Sequence, residues 1–354
     1  MEIKLGNQWV GDGHPCLIIA EISCNHLQDK QLALEMIDAA AAAGADAVKF
    51  QAYTPDTLTL DPSGMAESEK KHFTIQGSIW EGRSFYDLYQ EAYTPWDWFE
   101  ELMARAREHK LFFLVTPFDE TAVDMLEDLG VDAYKVASFE INHIPLLDKI
   151  GATGKPVIFS TGTALLEDIE LALATLDNAG APGQIILKCT SAYPAPLAEA
   201  NLTTMVDMAN RFSSLVGLSD HTTSPVLPAH AVALGACVVE KHFTQEKKGP
   251  DAAFSLLPEE FATMVGHIRQ CEAALGGISY APTPKVVEHR IFMRSIFASA
   301  PIGAGEPFTP ENIRVVRPGA GMHPRYYPDV LGKMAIRDIR KGEPLTQEMV
   351  GKMA

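Results

Sequence analysis

The sequence lacks the features that mark disulfide-stabilised, membrane-spanning or secreted proteins. Its five cysteines show no CxxC spacing, which a zinc site or a redox motif would favour. None of its apolar runs approaches the ~20 residues that cross a bilayer. The opening segment, MEIKLGNQWVGDGHP, contains no apolar stretch of a secretory signal. We therefore expect a cytoplasmic protein with reduced thiols and no membrane partner.

A basic surface is missing as well. The 354 residues include 29 Lys and Arg against 46 Asp and Glu, which gives a net charge of −17. Nucleic-acid binding requires cations that neutralise phosphates, so the composition argues against a nucleic-acid partner. The charge is uneven, because the part from Met293 onward has nine basic and six acidic residues, a net charge of +3.

The sequence does contain eight short apolar runs, each of which stops on a polar residue. Stretches with the apolar period of a helix separate them. Buried parallel strands are continuous Val/Ile/Leu runs of this kind, and alternating strands and helices indicate parallel crossovers. The pattern predicts an α/β protein, a (β/α)8 TIM barrel, whose active site lies at the carboxyl ends of its strands. The runs are CLIIAE, AVKFQ, LFFLVT, AYKVAS, VIFST, IILKCT, LVGLSDH and CVVEKH.

The chain is longer than a barrel of roughly 250 residues needs, which predicts additional parts. We assign the barrel to residues 1–278 and, within it, an aromatic-rich insertion over the mouth to residues 52–95, a segment too long for a strand–helix connection. The insertion is either a lid or dimer contact, or an excursion around its own small core. The Gly- and Pro-containing run GGISYAPTPK after Leu275 predicts a linker, which we assign to residues 279–292. Residues 293–354 contain two similar copies, IGAGEPFTPENI and IRKGEPLTQEMV, which predict a small β-rich domain.

The last two runs stop on histidines, His221 and His242. Neighbouring strands of a barrel bring their carboxyl ends together, so we expect the two imidazoles close to each other at the mouth. Two neutral imidazoles suit a divalent metal ion, with water and substrate oxygens in its other positions. The alternative is a pair of hydrogen-bonded structural histidines.

Lysines lie toward the ends of the second, fourth, sixth and eighth runs, namely Lys49, Lys135, Lys188 and Lys241. Buried lysines are rare unless paired, so we expect several of them to face an anion. Hydroxyl residues at other strand ends make this mouth suitable for a phosphate and a carboxylate. Two alternatives stay open: pairing with nearby carboxylates, Lys241 with Glu240 in particular, and a Schiff-base nucleophile among the lysines.

Acidic residues follow some of the same runs. Glu140 comes just after the fourth run and is the best candidate for general acid–base catalysis, because a carboxylate enclosed beside a metal ion and lysines can titrate near neutrality. Glu21 ends the first run, where it could bind sugar hydroxyls, and Asp251 follows the eighth and could close over a substrate.

The motifs of the chain, in their order, resemble those of the sialic acid synthase family, whose enzymes condense phosphoenolpyruvate with an amino sugar. They are AE-x-x-x-NH, GADAVKFQ, TPFD, YKVASFE, STGT, KCTSAYP, GLSDHT, EKHFT and GPDAAFSL, followed by RPG. The resemblance covers nearly the whole chain. It implies that residues 293–354 form an antifreeze-like (SAF, β-clip) domain and that the protein is a metal-dependent transferase that forms a carbon–carbon bond.

The same resemblance implies roles for individual residues. Glu140 would be the catalytic acid or base, and His221 and His242 would hold the divalent ion, Mn²⁺ in the first place with Mg²⁺ or Co²⁺ as alternatives. The residues expected to bind phosphoenolpyruvate are Lys49, Thr116, Lys135, Ser138, Ser160, Ser191 and Ser219. Those expected to bind the sugar are Glu21, Gln51, Tyr193, Asp251 and Arg317.

Two further expectations concern the sugar and the assembly. The stretch IQGSIWEGRSFYDLYQEAYTPWDW is typical of the pseudaminic acid branch of the family, which implies a 2,4-diacetamido-2,4,6-trideoxyhexose as the substrate. Synthesis of N-acetylneuraminate or legionaminate is the alternative, and a Schiff-base pyruvate aldolase is a more distant one. In the family the arginine corresponding to Arg317 reaches the active site of the neighbouring chain, which implies a domain-swapped homodimer; the alternative is that Arg317 caps a local carboxylate.

Overall fold

The structure is a computed structural model that describes residues 1–351. It divides into two compact units, Met1–Gly276 and Gly277–Ala354, and each is described by itself. The boundaries predicted at residues 278 and 293 stay predictions.

Within residues 1–276 the backbone alternates between strands and helices. The strands are β1 Glu2–Leu5, β2 Gln8–Gly11, β3 Leu17–Glu21, β4 Ala47–Ala52, β5 Phe112–Pro117, β6 Tyr134–Val136, β7 Val157–Ser160, β8 Gln184–Cys189, β9 Leu215–Asp220 and β10 Val238–His242. The α-helices are α1 Lys30–Ala42, α2 Pro55–Leu58, α3 Glu67–Lys70, α4 Phe85–Ala92, α5 Phe99–Glu108, α6 Glu120–Leu129, α7 Ile144–Ala152, α8 Leu166–Ala179, α9 Thr203–Phe212, α10 Leu227–Ala233 and α11 Pro258–Leu275.

Strands β3 to β10 form one parallel sheet in the order β5-β4-β3-β10-β9-β8-β7-β6. The end strands β5 and β6 lie side by side, so the sheet is nearly closed into a barrel. Each of its strands coincides with one of the apolar runs to within one or two residues at either end. The largest difference is at β6, which is shorter than the run AYKVAS. The (β/α)8 prediction is confirmed.

The barrel has an apolar interior at the amino ends of its strands. Its side chains include Leu17 and Ile19 of β3, Leu114 of β5 and Leu187 of β8, all fully or almost fully buried. The antiparallel hairpin of β1 and β2 packs Leu5 and Val10 into the same cluster. A second and larger core lies between the barrel and the surrounding helices. Burial on both faces explains why these strands are continuous apolar runs rather than alternating ones.

Helix boundaries follow local capping chemistry. The Asp29 side chain accepts hydrogen bonds from the first turn of α1, and Asp119 does the same for α6, which ends on Gly130 in a left-handed conformation. After the insertion, Trp96–Trp98 form a 3-10 turn, and α5 begins at Phe99. Pro95 fixes an extended entry there, so the first turn is tighter than an α-helical one.

The insertion at residues 52–95 is folded. It contains α2, α3 and α4, and a bridge between Thr74 and Ser84 closes a loop before α4. The Ser84 side chain caps α4 by accepting a hydrogen bond from the Asp87 backbone. Aromatic residues of the insertion therefore have fixed positions.

The second unit has little regular structure but its own core. Its elements are α12 Pro284–Glu288, β11 Ser295–Ala298, β12 Ile313–Val316 and α13 Tyr327–Val330. Ile302 and Ile339, the first residues of the two similar copies, face each other and exchange backbone hydrogen bonds of 2.9 and 2.8 Å. This reciprocal pairing is what an internal repeat predicts. In the described part of the chain, no helix combines the length and apolar character that crossing a membrane needs.

Candidate active site

A cavity of about 570 Å³ lies at the carboxyl ends of the barrel strands. Barrel strands present alternate residues to the interior, so the side chains that follow the apolar layer point into this cavity. Of the predicted site residues in the barrel, all but Thr116 line it, and Thr116 lies behind Lys49. The lining residues among them are Glu21, Lys49, Gln51, Lys135, Ser138, Glu140, Ser160, Ser191, Tyr193, Ser219, His221, His242 and Asp251. The roles given to them stay predictions.

Two of the four strand-end lysines enter the cavity as part of an ionic network. The Lys49 ammonium lies 3.1 Å from Glu21 Oε2, 3.3 Å from Glu240 Oε1 and 3.2 Å from Thr116 Oγ1. The Lys135 ammonium donates to Ser160 Oγ at 2.7 Å and lies 3.6 Å from Glu240 Oε2. Both lysines are almost fully buried. They supply fixed positive charge for an anionic ligand.

The other two lysines do not line the cavity. Lys241 is fully buried in an ion pair of 2.6 Å with Asp220, which corrects the expectation that its partner is Glu240. Lys188 bonds to the Cys189 carbonyl and, at 3.1 Å, to Thr190 Oγ1. The reason is the two-residue period of a strand: Glu240 and His242 share one face of β10, so Lys241 must lie on the other.

Glu240 is the central residue that sequence reasoning missed as a site residue. Burial alone would raise its pKa, but the two adjacent ammonium groups of Lys135 and Lys49 outweigh this and lower it. Its neighbour Glu21 shows the opposite balance: burial, supported by the charge of Glu240, raises the pKa of Glu21 to about 6 although Lys49 opposes the shift. The motif EKH contains the signal that Glu240 belongs to the site, because Glu240 lies two residues before His242 and therefore points to the same side of the strand.

The two histidines lie together as expected, with ring centroids 5.2 Å apart. His221 Nδ1 lies 3.2 Å from the Thr190 carbonyl and 3.6 Å from Cys189 Sγ, which orients the ring from behind. His242 Nδ1 lies 3.5 Å from Asp251 Oδ2 but makes no hydrogen bond to any described residue. Burial, together with the positive groups around it, keeps the pKa of His242 well below its usual value, so this imidazole is neutral.

Glu140 combines burial with an open hydrogen-bonding position. The side chain is 8% exposed, and its Oε2 has no hydrogen-bond partner among residues 1–351. Burial raises the pKa of Glu140 to about 7, although Lys135 and Lys49 oppose the change. A carboxyl group that titrates there can both give and take a proton near neutral pH.

A hydrogen-bonded chain connects the two sides of the mouth. Gln51 Nε2 donates to Glu21 Oε1 at 2.7 Å and to Ser23 Oγ at 3.0 Å, and Ser23 donates to Asp251 Oδ2 at 2.5 Å. Asp251 in turn lies next to His242. These contacts fix Gln51 and Asp251 at the edge of the cavity, where oxygen and nitrogen atoms of a polyhydroxylated ligand could bond to them.

Aromatic rings from the insertion and the last loop enclose the site. The ring centroid of Tyr193 lies 4.6 Å from that of His221 and 5.0 Å from that of Phe254. The Trp80 ring of the insertion is 5.7 Å from the Tyr193 ring, again between centroids. Trp80 Nε1 donates to the Pro250 carbonyl at 3.2 Å, so the insertion is attached to the loop that carries Asp251. Sequence reasoning predicted Tyr193 and an aromatic cover but not Trp80 or Phe254, which only the fold brings beside the histidines.

The chain matches models of two known protein families. A model of the NeuB family matches residues 36–280, well over half of the chain, and a model of the SAF domain matches residues 293–351. The chain belongs to the NeuB family. The predicted relation to sialic acid synthases and the predicted SAF domain are both confirmed.

Relatives of this NeuB-family chain align with it almost from end to end. The pseudaminic acid synthase of Campylobacter jejuni is 41% identical over 332 residues, which cover 93% of this chain and 95% of that protein. The pseudaminic acid synthase of Helicobacter pylori is 40% identical over 337 residues, or 94% and 97%. Among solved structures, N-acetylneuraminic acid synthetase from Leptospira borgpetersenii in complex with citrate is 34% identical, with a TM-score of 0.71 over 82% of this chain and 96% of that one.

The NeuB-family resemblance implies a divalent metal ion, and the residues fit one. A metal–imidazole bond is about 2.1 Å long, so two rings that share an ion have centres roughly 4.5–5.5 Å apart, a range that includes the observed separation. His242 offers a neutral imidazole with an unused nitrogen. The charged side chains lining the cavity are two lysines and four carboxyl groups, so an anionic substrate needs additional positive charge nearby. Residues 1–351 contain no group of three or more His, Cys, Asp or Glu side chains that could hold a metal ion, so an ion at the two histidines would need water and substrate oxygens as further ligands.

Proposed function

We propose that this chain condenses phosphoenolpyruvate with a 2,4-diacetamido-2,4,6-trideoxyhexose and water, giving pseudaminic acid and phosphate. The observation that carries the proposal is the end-to-end similarity to pseudaminic acid synthases, at 40–41% identity over more than nine-tenths of the chain. The cavity supports it, since one mouth combines buried lysines, a histidine pair and a carboxyl group with a pKa near neutrality.

The lysines hold the phosphoenolpyruvate. Lys49 of β4 and Lys135 of β6 project into the cavity, and both lie within 3.6 Å of Glu240. Glu240 fixes their ammonium groups before the substrate arrives, so little reorganisation is needed when a phosphate or carboxylate binds. Hydroxyl groups complete the cradle: Ser138 and Ser191 lie 2.6 Å apart, and Ser160 and Ser219 bond to members of the network.

His221 and His242 hold the divalent ion, for which we propose Mn²⁺ with Mg²⁺ or Co²⁺ as alternatives. When bound, the ion acts as a Lewis acid toward the aldehyde oxygen of the open-chain sugar. The contact of His221 Nδ1 with the Thr190 carbonyl presents its other nitrogen to the cavity.

The bond changes determine what the protein residues must do. The methylene carbon of phosphoenolpyruvate forms a bond to the aldehyde carbon, water adds to the former enol carbon, and the bond from that carbon to the phosphate oxygen breaks. The oxygen of the attacking water becomes the keto oxygen of the product, so this water loses two protons. One proton goes to the aldehyde oxygen, which becomes a hydroxyl, and the other goes to the departing phosphate. Glu140, whose carboxyl group is open to the cavity, transfers these protons, and Lys49 and Lys135 bind the phosphate as its charge grows.

The assembly that we propose is a domain-swapped homodimer in the cytoplasm. All five cysteines are unpaired thiols, which suits a reducing compartment. Arg317 is exposed in the second unit, where the described arginine–carboxylate pairs join Arg337 and Arg340 to Glu343 and do not involve Arg317. Its planar guanidinium suits the carbonyl of an acetamido group, and we assign this contact to Arg317 of the partner subunit.

Subunit mixing tests the swap. Arg317→Ala and Glu140→Gln chains, each inactive alone, should recover part of the activity when mixed, because a mixed dimer contains one intact site. Absence of recovery despite demonstrated exchange of subunits, or full activity of a monomer, would contradict the shared site.

The proposed reaction is tested by measuring phosphate release from phosphoenolpyruvate with a panel of sugars. We expect the 2,4-diacetamido-2,4,6-trideoxyhexose to exceed N-acetylmannosamine in kcat/KM by about 10²-fold, since an apolar pocket separates a methyl from a hydroxymethyl group only modestly. Equal or better use of N-acetylmannosamine would refute the pseudaminate assignment. Borohydride reduction with pyruvate should leave no adduct on Lys135 or Lys188; an adduct on either would support a Schiff-base aldolase instead.

A further inference from the structure

The cavity has an aromatic end whose residues take no part in the chemistry described above. It is formed by the insertion together with the residues that follow β4 and β5, and its lining includes Tyr53, Ile75, Phe85, Leu88, Tyr89 and Phe118. Tyr53 is in edge-to-face contact with Tyr89, at 5.6 Å between ring centroids, and with Phe118, at 5.1 Å. The polar atoms of these six side chains are the hydroxyls of Tyr53 and Tyr89.

Tyr53 is an almost fully buried residue that lines the cavity and carries a hydroxyl donor. The side chain is 3% exposed, and its hydroxyl forms no hydrogen bond with residues 1–351; the one contact of Tyr53 with a side-chain donor is through its backbone carbonyl, which accepts from Trp96 Nε1 at 3.3 Å. Burial, and after it the charges of Cys24 and Asp251, raise the pKa of the Tyr53 phenol, so the ring stays protonated and can donate. Because Tyr53 lines the cavity and its hydroxyl is not engaged by the protein, this donor is free to bond to a ligand atom there.

The order of atoms along the sugar decides which group reaches this end. The aldehyde carbon must lie beside the histidines and Glu140, because the new carbon–carbon bond forms there. The acetamido group on carbon 2 is adjacent to the aldehyde and stays near the reacting atoms. Groups on carbon 4 and beyond extend away from the lysine cradle, toward the part of the cavity that the insertion lines.

We propose that Tyr53, supported by Tyr89, binds the acetamido group on carbon 4 of the sugar and thereby selects diacetamido sugars over those with a hydroxyl at that carbon. The inference rests on the proposed function and identifies the residues that determine its substrate. An acetamido group has a carbonyl that accepts a hydrogen bond and a methyl that prefers apolar contact. The aromatic end offers both, a buried phenol donor and the surrounding faces of Phe118 and Leu88.

Tyr89 relates this assignment to the catalytic residue Glu140. Tyr89 and Glu140 line the same cavity, and the pKa of Tyr89 is raised to about 12, mainly by burial and further by the charge of Glu140. Tyr89 is also the residue whose ring contacts Tyr53. A sugar that extends from the reacting carbon past Tyr89 reaches Tyr53 next.

The test uses Tyr53→Phe, which removes the hydroxyl and keeps the ring, and two sugars that differ only at carbon 4. One is the 2,4-diacetamido-2,4,6-trideoxyhexose, and the other is its analogue with a hydroxyl at carbon 4. We expect kcat/KM for the diacetamido sugar to fall about three- to tenfold, the usual effect of losing one neutral hydrogen bond, mainly through KM. For the hydroxyl analogue it should change less than about twofold, and KM for phosphoenolpyruvate should stay constant.

Tyr86→Phe is the matched control, because Tyr86 belongs to the same insertion but its exposed hydroxyl bonds to Asp56 at 3.2 Å. This variant should leave kcat/KM unchanged for both sugars. The inference fails and the proposed function stands if the wild-type chain uses the diacetamido sugar but Tyr53→Phe lowers kcat/KM equally for both sugars or for neither. A wild-type chain that releases no phosphate with the diacetamido sugar overturns both.

Discussion

The two ends of the barrel interior are built by the same strands and differ completely in chemistry. On β3 the inward side chain changes from Ile19 to Glu21, on β8 from Leu187 to Cys189, and on β10 from Val238 to Glu240. Each change takes two residues, roughly 7 Å along a strand. The amino end is a closed apolar core, whereas the carboxyl end is a polar cavity.

This difference shows how the barrel separates stability from activity. At the amino end the side chains exclude water and pack against one another, so burial stabilises the fold. At the carboxyl end the buried atoms Glu140 Oε2 and His242 Nδ1 have no hydrogen-bond partner in residues 1–351. Such atoms destabilise a folded chain by about 1–3 kcal/mol each unless a ligand bonds to them. The apolar end therefore holds in place a site that is itself unfavourable for folding.

Removing the divalent ion should affect only the polar end, and it should have the largest effect on activity. We expect a chelator to reduce phosphate release to background and added Mn²⁺ to restore it, because the acidic cavity then lacks the cation at the histidines. His221→Ala should lose bound metal, measured by elemental analysis, while its circular dichroism stays that of the wild type. Full turnover in excess chelator would remove the metal from the mechanism.

Glu140→Gln tests the polar end without a change in shape. Turnover should fall about 10²- to 10⁴-fold, the usual contribution of general acid–base catalysis, with KM for phosphoenolpyruvate little changed. Steady-state phosphate release measures both constants. The conservative substitution Lys188→Met, outside the cavity, serves as a control and should keep turnover within about threefold of the wild type. Near-normal turnover of Glu140→Gln would exclude Glu140 as the acid or base.

A substitution at the apolar end should have the reverse effect. Leu17 is almost fully buried and lies four residues, roughly 13 Å, before Glu21 on β3. Leu17→Ala should lower the free energy of unfolding by about 2–5 kcal/mol, because it removes buried methyl groups and leaves a cavity. Below the unfolding transition kcat should stay within about twofold. Chemical denaturation and phosphate release report the two quantities, and a large loss of kcat in folded protein would show that the two ends are coupled.

The smallest expected effect is the pH dependence of the free energy of unfolding, to which Glu140 contributes through its raised pKa. Burial raises the pKa of Glu140 from an ordinary 4.5 to about 7, so the folded chain keeps a proton that the unfolded chain releases. The stability that this proton contributes is complete below pH 4.5 and is lost as the pH rises through about 7. Glu140→Gln should therefore match the wild type near pH 4.5 and exceed it by up to roughly 3 kcal/mol at pH 8. Parallel stability curves for the two proteins would contradict a raised pKa.

Local patterns in the sequence account for the fold and for much of the site. Continuous apolar runs give the eight barrel strands, and helical periods with caps such as Asp119 and Gly130 give the intervening helices. Because a parallel strand must end at the mouth of the barrel, each run also identifies the polar residue that lies there. This is why Glu140, His221 and His242 could be assigned to one cavity before any geometry was known.

The side on which a residue lies, and the residues it meets, depended on tertiary structure. Lys188 and Lys241 end strands as Lys49 and Lys135 do, yet register within β8 and β10 directs them out of the cavity, where Lys241 pairs with Asp220. The pattern of lysines on alternate strands could not show this, since it ignores the two-residue alternation within each strand.

By itself the sequence determined the order of the strands, the polar residue at each strand end and the repeat in the tail, because these depend on neighbours a few residues apart. Tertiary structure decided that Glu240 joins Lys49 to Lys135, that Trp80 lies beside Tyr193, and that Tyr53 has an unpaired hydroxyl. Those relations join segments that are far apart in the chain. They arise only when closure of the barrel and folding of the insertion bring the side chains within bonding distance, where burial then sets their charge.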